Sequence, residues 1–537
     1  MERMSYDKHV WLRKELISAA KLNNIENGIA AATNALELLK LQVNAAHQLN
    51  AHVYGIKFDK TTHTCTRLFD AANITTDTTN FCHKGTINPN YDNPFDNIYP
   101  WSEFKLCNVD LDKFKTLTAD DDIRDCITAW YGEPTFTFDD PEVFVGRYRP
   151  PFAYYAYADN DYQIFVISDF AVDGWGWSPA TIDSYGLLTY QNLANTLADT
   201  KLGCYHGLPA CGQEISLNTI HAKAKAQGFT LQNIYSVSAI TTAYLVEYTD
   251  TNGQLALSDG CSSVYYVQAT TAHPFVDDTN TNRIVVPIAA KQQAVIGAQI
   301  DLVAVSDRSY VWNTDQGYRR ICIGIEDYTP DPTNYFYLIV NEAIPTISTE
   351  WFINIHGTVN GLPHGNESGY IGVATKTDTF YRGAAMWGNR WRYILGAYRE
   401  KDTDHIWIAK NIYDCDNYDA LNTEQHIDTG VVIGRTNDGT IASTGYIKTL
   451  VTGGEINQPL GFVPFCTELG GNSTNPWGDY SYVPAITTGN TVCFLGGSAL
   501  NGAGGGPGYA YWYYGSGFAH WSSGASGQLI LPQKNSA

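Results

Sequence analysis

From Leu22 to Asn50, apolar or small residues recur at alternating steps of three and four: Leu22, Ile25, Ile29, Ala32, Leu36, Leu39, Val43, Ala46 and Asn50. Such spacing makes a narrow apolar seam that one helix cannot bury alone, which is the signature of helices wrapped around one another. The pattern predicts an N-terminal helical segment over residues 1–55 that joins copies of the chain through Leu22, Ile25, Ile29, Leu36, Leu39 and Val43. The a-like positions carry Leu, Ile, Leu, Val and Asn, a mixture that leaves the number of associating chains open. The competing reading is a single amphipathic helix lying on a neighbouring domain.

After His63 the helical period stops. Asn73 to Asn97 is rich in Asn, Thr, Asp and Pro and reads as part of a loop-rich β connector over residues 56–140. β-Branched and aromatic runs bounded by Gly, Pro, Asn and Asp then predict strands at Val143–Tyr157, Tyr162–Asp169, Ile234–Thr249, Ser263–Gln268, Ile284–Ile288, Ala294–Val305 and Tyr335–Val340. Two helices are expected between them, at Thr189–Thr200 and Leu217–Gln227, the second stopped by Gly228. The stretch 264–380 is strand and turn throughout and interrupts two segments that belong together. It reads as an inserted β module between 141–263 and 381–537, and the fold class is mainly β with a few helices (α+β).

Composition supports the same class, since only 17% of the 537 residues are charged while Tyr alone numbers 36. A net charge of −21 repels phosphate backbones and anionic bilayers, so neither nucleic acid nor membrane insertion is expected. Met1 to Leu22 carries charges throughout instead of an apolar signal stretch, which predicts a soluble chain not secreted by the usual route. The eleven cysteines are odd in number and scattered, without a Cys-x-x-Cys pair, and read as reduced packing residues.

The last forty residues differ from the rest. A glycine-rich bend from Asn501 to Gly508 leads into Tyr509, Tyr511, Trp512, Tyr513 and Tyr514, followed by Phe518, His520, Trp521, Ser522 and Ser523. Tyr and Trp offer wide amphipathic contact for little rotamer entropy, and Ser, Gly and Asn around them supply adaptable hydrogen bonds. These ten residues are therefore the expected ligand-binding face; the alternative is a buried aromatic meander with Gly turns.

Candidate chemistry is sparse. Cys466 and Cys493 lack a basic or metal-like setting, and His356 and His364 sit among Gly, Pro and Asn, so no catalytic residue, metal ligand or cofactor is expected. Asp414 to Asp419 lacks the turn glycine and closing glutamate of a Ca²⁺ loop, and Asp120-Asp121-Asp122 reads as a helix start or charged turn. A glycan-cleaving enzyme needs two nearby carboxylates, and Val492 to Ala537 holds no Asp or Glu.

Two stretches resemble known families. Ile17-Ser18-Ala19-Ala20-Lys21-Leu22-Asn23-Asn24-Ile25-Glu26-Asn27-Gly28-Ile29 resembles the N-terminal segment of phage tail-fibre and related appendage proteins. That resemblance implies a trimeric stalk, contact with other virion proteins through the N-terminus, and a place on the virion after assembly in the host cytoplasm. From about Tyr148, with the insertion set aside, the chain is similar to the C-type-lectin-like domains of phage receptor-binding proteins, including retroelement-diversified ones, a branch related to formylglycine-generating enzymes. The similarity rests on Pro150–Tyr155, Gly174–Ala180, Ala243–Tyr248, Met386–Trp391, Gly470–Thr474, Gly496-Gly497-Ser498, Asn501-Gly502 and the terminal Gly527-x-Leu529. Ala499 and Gln528 depart from it, standing where Trp and Arg are usual. The resemblance implies that the ten terminal residues contact a host-surface protein or glycan. Alternatives are a capsid decoration or connector protein, or a polysaccharide depolymerase.

Overall fold

The computed structural model describes residues 52–74, 93–169, 187–189, 193–195, 201–205, 215–257, 265–268, 281–292, 294, 296–303, 317–344, 351–358, 379–418, 421–434, 436, 444–486, 489–498, 501, 504–520 and 522–533. The heptad segment, Gly174–Ala180, His364, Ala499 and Trp521 lie outside them.

The described chain is mainly β, its strands gathered into curled, largely antiparallel sheets. Four strands pair in the order Cys65–Phe69, Val53–Asp59, Tyr162–Ser168, Ala153–Ala158. A second sheet runs Thr230–Leu231, Gly527–Leu529, Leu187–Thr189, Phe144–Tyr148, Lys105–Val109, Ile127–Trp130. Both sheets cross the expected boundary between residues 140 and 141, because Val53–Asp59 and Lys105–Val109 pair with strands from the other side of it. Residues 56–140 are thus no separate connector. One apolar cluster takes members from Tyr54 through to Leu531.

Residues 265–358 build a sheet of their own, ordered Tyr265–Gln268, Phe352–Thr358, Ala298–Val303, Gly317–Asp327, Tyr335–Ile344, Thr281–Pro287. Its buried side chains, among them Ile284, Ile300, Leu338 and Ile353, form a second cluster that shares no residue with the first. The last large sheet is formed mostly by residues 391–511, ordered His426–Val432, His405–Ala409, Trp391–Arg399, Thr491–Leu495, Ala510–Tyr511, Tyr480–Tyr482, Thr444–Thr452, Phe462–Leu469.

Two local expectations are corrected. Ile234–Tyr248 is a helix and not a strand, and all fifteen of its residues are buried. Burial on every side, rather than β-branched propensity, decides its conformation. Asn233 caps it by accepting from the Ser236 N–H, and its hydroxyls are used outward: Ser238 Oγ and Thr242 Oγ1 accept the Gly461 and Phe462 N–H groups of the neighbouring chain. Thr189–Thr200 is not a helix where it is described, since Leu187–Thr189 and Ala194–Asn195 are strands. The helix Leu217–Ala226 lies where the sequence predicts one, capped by Ser216.

A buried ion pair fastens the return from the inserted sheet to the main core. Glu247, near the end of the long helix, accepts from Arg382 Nε and Nη2 at 2.9 and 2.7 Å, from the Tyr381 hydroxyl at 2.8 Å and from Asn93 Nδ2 at 2.8 Å. Arg382 also reaches Asp96 at 3.0 Å and the Trp101 carbonyl at 2.9 Å. Every lone pair is met by a donor, which is the condition under which a buried charge is tolerated.

Candidate functional site

Tyr480–Tyr482 runs parallel to Ala510–Tyr511 and antiparallel to Thr444–Thr452, so Tyr446 stands opposite Tyr480, and Tyr482 beside Tyr511. Strand alternation puts Tyr480 and Tyr482 on one face with Tyr511, while Ser481, Ala510 and Trp512 turn inward. The chain beyond Tyr511 then folds back over the same face.

The result is a ladder of half-buried rings. Tyr482 stacks on Tyr511 with centroids 4.6 Å apart and planes at 14°, Tyr511 on Tyr514 at 5.4 Å and 24°, Tyr514 on Phe518 at 3.4 Å and 5°, and Phe518 on His520 at 5.8 Å and 16°. Tyr513 meets Tyr482 and Tyr511 edge-on, both at 6.4 Å. Beneath the ladder the buried Phe494 makes edge contacts with Tyr511, Tyr514 and Phe518 at 6.0, 6.4 and 6.0 Å.

Backbone bonds hold the returning chain in place. Trp512 N–H donates to the Tyr482 carbonyl, Val492 N–H to that of Tyr514, Asn218 N–H to that of Ser516, and Trp391 N–H to that of Ser522. The Tyr393 hydroxyl donates to the Phe518 carbonyl at 2.6 Å. Groups from four separated stretches therefore fix a segment whose glycines would otherwise leave it free.

The ten residues expected on this face divide. Tyr511, Tyr513, Tyr514, Phe518 and His520 are half-buried and brought together in the ladder. Trp512 is inside, at 0% exposure, its ring against Phe465, so its place in the expected surface is corrected to the core. Tyr509 is 5% exposed, covered by the bend it follows: a Cβ added to Gly497 would come within 3.0 Å of its ring, and Asn501 Nδ2 donates to its hydroxyl at 3.1 Å. Ser522 and Ser523 are buried as well; Ser522 Oγ lies 2.7 Å from His520 Nδ1, and the Ser523 carbonyl accepts from Arg390. Trp521 lies outside the described residues. Tyr446, Tyr480 and Tyr482 extend the face and were not among the expected residues, although the alternation in Tyr480-x-Tyr482 is a strand signal that puts both on one side.

The glycine-rich bend is built on a carboxyl. Asp479 is fully buried; its Oδ2 accepts the Gly508 N–H at 2.6 Å, and its Oδ1 has no partner among the described residues. A Cβ on Gly506 would fall 1.8 Å from that Oδ1, so the bend can close only with glycine there. Burial pushes the carboxyl well above its usual range, against the single opposing N–H. The burial of Tyr511, helped by its bond with Tyr514, likewise pushes its phenol up, and the hydroxyl stays protonated.

Other candidate chemistry is occupied. Asp416 accepts from His221, Lys225 and Thr230, three bonds that outweigh burial and hold its carboxyl well below the usual range. It forms one wall of a concavity of about 290 Å³ otherwise lined largely by apolar residues such as Phe114, Phe229, Ile412 and Leu531. Asp122 caps a short 3-10 turn by accepting from the Arg124 N–H. The described cysteines are free thiols, and burial pushes Cys126 and Cys466 up to about 12. Among the described residues no three His, Cys, Asp or Glu side chains are grouped as metal ligands. Gln528, where the lectin-like pattern has Arg, is buried in the second sheet and accepts the Asn233 N–H at 3.3 Å.

No protein-family model matches the chain, and no curated protein is significantly similar to it.

Proposed function

We propose that this chain is a virion fibre or spike protein that recognises a host surface through the ladder of Tyr482, Tyr511, Tyr513, Tyr514, Phe518 and His520. The observation that carries the reading is a continuous row of stacked, half-exposed rings, anchored from below and held by backbone bonds before any ligand arrives. Preformed aromatic faces bind well because little rotamer entropy remains to be lost. The resemblance of Ile17–Ile29 to appendage stalks and of the later segments to lectin-like heads supplies the virion setting. The heptad segment would join copies as a homotrimer, and several weak sites on one particle would add to strong adsorption.

The proposed role is binding rather than catalysis. Asp479, the carboxyl held against the terminal segment, is sealed from solvent, where it cannot reach a glycosidic bond.

The test uses labelled protein on a panel of bacterial strains. A Tyr511→Ala plus Tyr514→Ala variant with an unchanged circular dichroism spectrum is expected to lose adsorption roughly tenfold or more. Equal adsorption of variant and wild type rejects the reading, and failure of the variant to enter particles would move the face to a contact within the virion.

A further inference from the structure

The ladder's geometry also bears on what it recognises, and the inference rests on the recognition reading above. We propose that the ligand is a protein segment presenting backbone carbonyls and aromatic side chains, and not the flat face of a sugar ring.

A sugar stacks on an aromatic side chain by laying its C–H face on an open ring face. In this ladder the central faces are taken. Tyr514 and Phe518 lie 3.4 Å apart with planes at 5°, van der Waals thickness, so each covers the other. Tyr482 and Tyr511 overlap at 4.6 Å and 14°. What such a column turns outward is ring edges and phenol hydroxyls.

Edges and faces of an aromatic ring carry opposite partial charges. The face is negative and the edge positive, so outward edges attract carbonyl oxygens and the faces of incoming rings, in the perpendicular pairing that aromatic side chains favour. The phenols add hydroxyl donors whose oxygens also accept. Tyr513 already shows the pairing within the protein, edge-on to Tyr511 at 82° and to Tyr482 at 85°. Charge points the same way: from Val492 to Ala537 the chain has no Asp or Glu, and Lys534 is its one fixed cation. The segment therefore offers no carboxylate or guanidinium to hold paired sugar hydroxyls. Its chemistry matches an uncharged, aromatic-bearing stretch of polypeptide.

The experiment takes a bacterial strain to which the labelled full chain adsorbs and pretreats the cells in two ways: with protease, which removes surface polypeptide, and with periodate, which cleaves the vicinal diols of sugars. Adsorption of the wild type is expected to fall at least tenfold after protease and to change less than twofold after periodate. Tyr514→Phe, which keeps the ring and drops one hydroxyl, is expected to weaken adsorption a few-fold, and Tyr514→Ala to weaken it tenfold or more. Loss after periodate, with or without protease sensitivity, or retention after protease, overturns the protein ligand while leaving the face as the recognition site. Adsorption that ignores Tyr514→Ala on untreated cells rejects the recognition reading itself, and the ligand class with it.

Discussion

Asp479 is a fully buried carboxyl that accepts one hydrogen bond from the described residues, placed where the glycine-rich bend turns toward the aromatic face. Its folded-state value lies above the ordinary 3.8, so the native state keeps a proton that the unfolded chain releases. Stability linked to this group is therefore intact in acid and declines as pH rises above the unfolded value toward the raised one. Asp479→Asn keeps an acceptor for Gly508 without the ionisation. It should match the wild type in unfolding free energy near pH 4 and exceed it at pH 8 by about 1 kcal/mol or more, the scale of an unpartnered buried polar group. A variant less stable than wild type at pH 8 contradicts this account of the bend. Trp512→Ala should remove about 3–5 kcal/mol as a buried-ring deletion, read as a lowered denaturation midpoint. That residue supports the site from below and cannot report on binding directly.

At the level of elements, the long helix and the return strand stand or fall together through Glu247 and Arg382. Glu247→Ala leaves the guanidinium buried with Asp96 as its remaining anionic partner and should cost about 3–5 kcal/mol in urea denaturation. Replacing both residues by Leu and Met should recover part of that loss, because the desolvation of both charges disappears with them. A double variant no better than the single one would mean that the pair does more than satisfy itself. The same elements show what could be read in advance. The inserted strand over Tyr335–Val340 and the helix Leu217–Ala226 were visible, since their periods follow directly from one-sided burial. Ile234–Tyr248 was not, because a helix buried all round has no polar stripe, although Asn233 and a length of fifteen residues were available cues. The pairing of Val53–Asp59 with Tyr162–Ser168 spans about a hundred residues and leaves no local trace. Within the candidate site, composition singled out the terminal aromatics as a group, yet only strand alternation and the fold of the glycine bend separate Tyr511 from Trp512 and cover Tyr509.

For the whole molecule, the proposed fibre would combine a heptad segment that gathers chains with a face that each chain presents. Removing residues 1–50 should lower the oligomeric mass measured by light scattering, and an unchanged mass would move association into the β sheets. The face itself is tested most directly by chemical footprinting of the protein free and adsorbed on cells, reading ring oxidation residue by residue by mass spectrometry. Protection is predicted at Tyr482, Tyr511, Tyr513, Tyr514 and Phe518, with Tyr328, Tyr335 and Tyr337 of the inserted sheet unchanged. Protection of the inserted sheet, with the terminal ladder as reactive as in the free protein, would contradict the assignment of this surface to recognition.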